Sequence, residues 1–250
     1  MKNKVSLVTG AGSGIGAATA TAVGREGGMV MVCDIDKEKG RNITDSITFA
    51  GGNASFFYLD VTEPDAHRAA VAEAKRLFGG LDVAINCAGI SVGPSMTQRA
   101  VHEVDLDDWR QTMNVNLDGV FDGMRAQIPM MMERGQGAIV NVASVMSVVA
   151  RTTLSPYVTS KHAMLGLTKA AALDCAVHRI RVNAVGPGYV DTPLLAQKNA
   201  ETRRAYAQLH PLNRMARAEE VAESILWLCS DKSSFSTGAY YPVDGGFTAQ

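Results

Sequence analysis

The chain has little of what marks several large classes of protein. Its 250 residues include four cysteines. These are Cys33, Cys87, Cys175 and Cys229, scattered and without a C-x-x-C pair. The spacing indicates neither a disulfide framework nor a zinc site, and reduced thiols in a cytoplasmic setting are expected. An excess of one charge is also missing. With 24 Lys+Arg against 25 Asp+Glu the formal net charge is −1, which leaves no basic patch for a nucleic-acid role to rest on. No apolar run approaches the ~20 residues of a membrane span. A strand pattern begins within the first few residues, so no signal peptide is expected. The N-x-S/T matches at Asn42 and Asn53 are then incidental. His67, His102, His178 and His210 have no metal-like spacing, and His162 adds none; no metal site is expected.

What is present begins at once. Val5 to Gly16 reads V-S-L-V-T-G-A-G-S-G-I-G, followed by Ala17, Ala18, Thr19 and Ala20. An apolar run long enough for a buried strand breaks into glycines and then into a helical stretch. Strand, glycine turn and helix is the context a dinucleotide site requires. Gly10, Gly14 and Gly16 leave room for the backbone to approach a pyrophosphate, and the helix N-terminus offers unpaired N–H groups and a positive dipole end. No G-K-[ST] follows for a P-loop, nor any kinase-type motif.

A second strand, Met29 to Cys33, ends at Asp34, eighteen residues after Gly16. A carboxylate there can accept hydrogen bonds from both adenosine ribose hydroxyls and would repel a 2′-phosphate. With Ile35 beside it and no arginine, Asp34 favours NAD over NADP. A solvated loop position, or a cap for the helix starting near Lys37, is the plainer reading, and Asp36 could equally be that cap.

Tyr157 and Lys161 stand at i and i+4, on one face of a helix, with Ser144 thirteen residues upstream of the tyrosine. A phenol with a pKa of about 10 is a poor base at neutral pH. An ammonium about 5 Å away favours the phenolate by roughly 3 kcal/mol at an effective dielectric near 20, or about two pKa units. A serine hydroxyl nearby could hold the oxygen that gains or loses the proton.

Together these motifs resemble the short-chain dehydrogenase/reductase family over essentially the whole chain. The T-G-x-x-x-G-x-G turn is Thr9 to Gly16, and the N-N-A-G segment appears as Asn86, Cys87, Ala88 and Gly89, with Cys87 in place of the second Asn. The P-G motif is Pro187 and Gly188, and V-D-G-G is Val243 to Gly246. The resemblance implies a catalytic set of Asn116, Ser144, Tyr157 and Lys161. It implies cofactor contacts from Gly10, Ser13, Gly14, Ile15 and Gly16, then Asp34 and Ile35, Asp60 and Val61, Asn86, Ala88 and Gly89. Tyr157, Lys161, Pro187, Gly188, Val190 and Thr192 complete them, the last at the carboxamide. A homotetramer is implied too, through helices carrying residues 107–134 and 157–177 and the C-terminal strand region. The loss of an amide at Cys87 is expected to weaken local hydrogen bonding while the turn survives.

Strands are expected near residues 4–9, 29–33, 54–59, 82–86, 137–143, 180–185 and 239–243. Helices fall between them, including 64–78, where Thr62 and Asp65 suggest an N-cap with its acidic partner. Right-handed crossovers then give a Rossmann-type α/β fold, a doubly wound parallel sheet of about seven strands with helices on both faces. One domain over 1–250 is expected, with residues 189–215 covering the substrate. The segments 91–105, 145–155 and 189–210 supply Val92, Met96, Met146, Val149, Leu154, Leu194 and Leu195. They suit an apolar or alicyclic secondary alcohol or ketone as the small-molecule substrate. Arg151 is the best candidate for a basic clamp. A 3-oxoacyl-type reductase would want NADPH, against Asp34. A non-catalytic NAD-binding sensor would typically lack part of the catalytic set.

Overall fold

The computed structural model describes residues 1–93, 95–196 and 198–250, apart from the side chain of Leu194. A seven-stranded sheet runs through it. Its strands are β1 (Val5–Thr9), β2 (Met29–Asp34), β3 (Asn53–Tyr58), β4 (Val83–Asn86), β5 (Gly137–Val142), β6 (Ile180–Pro187) and β9 (Tyr240–Val243). All pair in parallel, in the order β3-β2-β1-β4-β5-β6-β9. The order reverses at β1, and at such a switch point a crevice opens beyond the C-terminal strand ends. Two short strands, β7 (Val190–Asp191) and β8 (Ala216–Arg217), form a separate parallel pair.

The central strands are buried on both faces, which is why they read as unbroken apolar runs. Alternation along each strand splits the core in two. Leu7, Met31, Ala84, Ile139 and Val182 face one side, and Val8, Val32, Ile85 and Val140 the other. The first side is covered by α3 (Pro64–Phe78), α5 (Gly119–Arg134) and α6 (Ser155–Cys175). The second is covered by α1 (Gly14–Arg25) and α9 (Ala218–Cys229). Around them lie α2 (Lys37–Phe49), α4 (Leu106–Met113), α7 (Pro193–Ala196) and α8 (Ala200–Gln208).

One local expectation is corrected. Thr62 does not cap α3; its N–H and hydroxyl both donate to Asp60 Oδ1, at 2.9 and 2.7 Å. The helix starts at Pro64, with Glu63 as a cap residue that makes no side-chain bond. A proline at the first helical position has no N–H to satisfy and is already set at a helical φ. Among the described residues, no helix is long and apolar enough to cross a membrane.

Candidate active site

The glycine turn joins β1 to α1. Gly10 has φ +64°, and a Cβ on it would stand 2.8 Å from Ala88 Cα, so the turn packs directly on the backbone after β4. A Cβ on Gly16 would overlap the Gly10 carbonyl. Ser13, at the cap of α1, makes no side-chain capping bond, and Ala17 is the first amide to reach back, to the Ser13 carbonyl. The amides of Gly14, Ile15 and Gly16 therefore open the helix uncapped among the described residues, with Thr192 facing Gly14. That is an anion site of the kind a pyrophosphate fits.

Asp34 ends β2 beneath this turn. Its Oδ2 accepts the Gly12 amide at 2.7 Å and its Oδ1 the Asp36 amide at 2.8 Å. Asp36, not Asp34, caps α2, accepting the Lys39 amide at 3.1 Å. The alternative reading of Asp34 as a helix cap thus falls away. Ile35 beside it is 58% exposed, an apolar surface at the same edge. Asp60 is held by Thr62, and the Val61 carbonyl is bonded by His67 Nε2 at 3.0 Å.

The turn after β4 survives the replacement at Cys87. The Thr9 hydroxyl accepts the Cys87 and Ala88 amides at 3.0 and 3.2 Å, so the backbone is pinned from β1. Burial pushes the Cys87 thiol up to about 12. Asn86 ends β4 at the C-terminal edge of the sheet, as expected. It shares a strand face with Ala84, so its side chain points to the α5 side of the sheet. There it exchanges hydrogen bonds with Gln127 and donates to Asn141, its cross-strand partner, at 2.9 Å. Asn141 in turn donates to Thr168 at 3.0 Å. The Asn86 side chain is committed to this buried network and is not available to a cofactor.

Asn116 sits in a π-helical turn, Asn114–Asp118, between α4 and α5. Its side chain is fully buried. Oδ1 accepts the Ile90 amide and Nδ2 donates to the Ile90 carbonyl, both at 2.8 Å, and Nδ2 also meets Ser160 Oγ at 3.2 Å. Asn116 therefore clasps the loop that follows Gly89.

Ser144 follows β5 and caps a 3₁₀ turn, Val145–Ser147, its hydroxyl accepting the Met146 amide at 3.1 Å. Tyr157 lies one turn into α6, with Lys161 one turn further. Lys161 is 4% exposed, and its Nζ donates to the Val142 carbonyl at 2.8 Å and stands 5.8 Å from the Tyr157 ring centroid. Burial pushes the Lys161 ammonium down to about 8. The expected pull of this ammonium on Tyr157 is opposed by burial, which spacing in the sequence does not reveal. Burial raises the phenol above its ordinary value, and the hydrogen bond with Ser144 only partly opposes this. The same desolvation that penalises the ammonium also penalises the phenolate.

Two supports were not read from the sequence. Tyr240, on β9, donates from its hydroxyl to the Ser144 carbonyl at 3.1 Å, and a Cβ on Gly186 would overlap its ring. Ser160 donates to the Tyr157 carbonyl at 2.8 Å. The first joins residues 96 apart, which no local pattern announces, and the second is a serine bonding back to the carbonyl three residues earlier in its own helix.

The expected substrate segments meet only in part. Val92 and Leu154 line a crevice of about 20 Å³ together with Ser91, Thr153 and Pro156. Met146 is buried, whereas Met96 is 76% exposed. The Leu194 side chain lies outside the described residues. Pro187 ends β6, Gly188 follows it with its amide on the Val243 carbonyl, and Val190 is buried in β7.

A parallel sheet of this order, with an uncapped glycine turn at its switch point and Ser144, Tyr157 and Lys161 at the same edge, defines a nicotinamide-dependent oxidoreductase. The chain belongs to the short-chain dehydrogenase/reductase family, and a family model described as enoyl-(acyl carrier protein) reductase matches residues 10–248. It is 42% identical over 249 residues to cyclohexanol dehydrogenase of Acinetobacter sp. (strain SE19), covering 99% of this chain and 96% of that protein. It is 41% identical over 246 residues to cis-4-hydroxycyclohexanecarboxylate dehydrogenase of Sinomonas cyclohexanicum, covering 98% and 97%. A solved structure, that of gox2181, is similar with a TM-score of 0.95 at 29% identity, covering 100% of this chain and 97% of that one.

Proposed function

We propose that the chain is an NAD-dependent dehydrogenase of alicyclic secondary alcohols, acting through Ser144, Tyr157, Lys161 and Asn116. The observation that carries it is the partly buried Tyr157, flanked by Ser144 and by the buried Lys161, at the edge where the glycine turn opens. The similarity to proteins named for ring alcohols supports the substrate class.

In this reading the amides of the turn bind the pyrophosphate, and Asp34 accepts the ribose hydroxyls. Asp34 disfavours a 2′-phosphate by charge. Ser13, Ile15, Ile35, Asp60, Val61, Ala88, Gly89 and Gly188 line the cofactor, and Thr192 meets its far end. When bound, oxidised nicotinamide supplies the hydride acceptor and a positive charge near the phenol. Tyr157 takes the hydroxyl proton of the alcohol. Ser144 donates to the substrate oxygen as it becomes a carbonyl. Lys161 stabilises the phenolate and hands the proton outward along the side held by Asn116.

The protein is further proposed to be a cytoplasmic homotetramer formed by one continuous catalytic domain. The exposed apolar residues Phe121, Met132 and Leu173, on the helices expected at the interfaces, support assembly. Reduction of NAD⁺ against NADP⁺ with cyclohexanol, open-chain diols and a hydroxyacyl thioester tests the reading. Turnover with NAD⁺ and cyclohexanol is expected. Turnover only with NADP⁺ and the thioester would replace it with a 3-oxoacyl-type reductase.

A further inference from the structure

Between the 3₁₀ turn at Val145–Ser147 and the start of α6 the chain carries one charged side chain, Arg151. Its guanidinium donates to the Tyr189 hydroxyl and lies over two rings, 5.8 Å from the Tyr189 centroid and 5.4 Å from that of Tyr206. Those rings are stacked, with centroids 4.2 Å apart and planes at 10°. Behind them His210 is buried, accepting the Tyr189 amide at its Nε2 and bonded through Nδ1 to the Tyr206 carbonyl. A carbonyl can only accept, so Nδ1 donates to it, while Nε2 takes the Tyr189 amide. The array fixes a cation that would otherwise be a flexible surface arginine.

That cation is not neutralised. Among the described residues, no carboxylate lies within ion-pair distance of Arg151, whereas Arg203 on the same covering segment is paired with Asp191 at 2.9 Å. A guanidinium has five N–H donors, and Tyr189 takes one. The Arg151 side chain is exposed, so the others are open to solvent and to a ligand. Tyr189 follows the C-terminal end of β6, whose neighbour β5 leads into Ser144, and Arg151 stands six residues before Tyr157. The array therefore adjoins the carbinol end of the cleft.

We propose that Arg151 and Tyr189 form an anion subsite that takes the carboxylate of an alicyclic hydroxy acid while its carbinol lies at Tyr157. The inference rests on the ring-alcohol reading given above and deepens it. A planar guanidinium matches a carboxylate in a bidentate fork, and pre-alignment by aromatic rings lowers the ordering cost. The apolar ring of the substrate spans the space between the two polar ends.

Two measurements on the full chain test this. The first is kcat/KM with NAD⁺ for cyclohexanol and for cis- and trans-4-hydroxycyclohexanecarboxylate, in the parent, Arg151→Gln and Tyr189→Phe. Arg151→Gln should lower the acid-to-alcohol ratio about tenfold or more through KM, as loss of a charged hydrogen bond implies. Tyr189→Phe should lower that ratio less. An unchanged ratio in Arg151→Gln, with both substrates falling together, would overturn the subsite and leave Arg151 as a latch for the covering segment. The second is binding of cyclohexanecarboxylate, which has no carbinol, by ligand-observed NMR. Weaker binding to Arg151→Gln supports the subsite, and equal binding overturns it. If the parent oxidises no ring alcohol, the functional reading fails, and this second measurement still decides the subsite.

Discussion

The Lys161 ammonium is bonded to the Val142 carbonyl, so the end of β5 and the second turn of α6 are joined by a buried charge. The charge is expensive. An unfolded lysine titrates near about 10.4, and the folded one near 8. Between those values the unfolded chain holds a proton that the folded chain has lost. Stability therefore rises with pH through that window, and below it the full cost of roughly 3 kcal/mol stands.

Replacing that charge with an apolar group of similar length should stabilise the protein while ending catalysis. Lys161→Met should melt at a higher temperature than the parent at about pH 7, with the gap closing towards about pH 10. Melting curves of the cofactor-free proteins across that range check it. A parent that melts higher at every pH would mean that the Val142 bond outweighs the burial.

Much of this arrangement was legible in the chain. The central strands are buried on both faces, so their apolar runs mark them clearly, and the glycine turn marks where the first one ends. Expected boundaries differ from the observed ones by a residue or two, as at β6, which runs on to Pro187. Asn86 ends β4 where expected, but a motif gives a residue's position and not its strand face. Face parity follows from Ala84 packing beside it. Thr62 was misread because a cap signature and an Asx turn use the same residue types, and Pro64 decides between them. The Tyr240–Ser144 contact joins residues 96 apart, beyond the reach of any local pattern. The pKa argument for Tyr157 counted the nearby charge and omitted desolvation, which no spacing reveals.

Tyr157→Phe removes one oxygen and little else. Turnover should fall by about a thousandfold or more, as expected for loss of an acid–base group together with its hydrogen bond. Cofactor affinity, followed by fluorescence titration, should stay close to that of the parent. Appreciable activity in the variant would remove Tyr157 from the chemistry.

Asp34→Asn keeps the shape and an acceptor for the Gly12 amide while deleting the charge. The ratio of kcat/KM for NAD⁺ to that for NADP⁺ should drop about tenfold or more, mostly through weaker NAD⁺ binding and relaxed exclusion of the 2′-phosphate. The same preference in parent and variant would place the cofactor's ribose elsewhere.

Tyr240→Phe takes away the hydroxyl that holds the Ser144 carbonyl. A single neutral hydrogen bond of this kind is worth about 1 kcal/mol, so a small loss in denaturant stability is expected. A lower kcat with little change in cofactor affinity should accompany it, because Ser144 loses its backbone anchor. Unaltered kcat would show that the 3₁₀ turn alone keeps Ser144 in place.

The π-helical turn at Asn114–Asp118 is, in effect, one extra residue wound into a continuous rod made of α4 and α5. Each residue of an α-helix advances the side-chain direction by about 100°. Deleting Val115 would restore ordinary winding and swing α4 by that angle relative to α5. Asn116 could then keep its grip on Ile90, or Asp108 its hydrogen bonds to Ser95, but not both at once. The insertion thus acts as a phase shifter, letting one rod serve the sheet with one half and the cleft wall with the other.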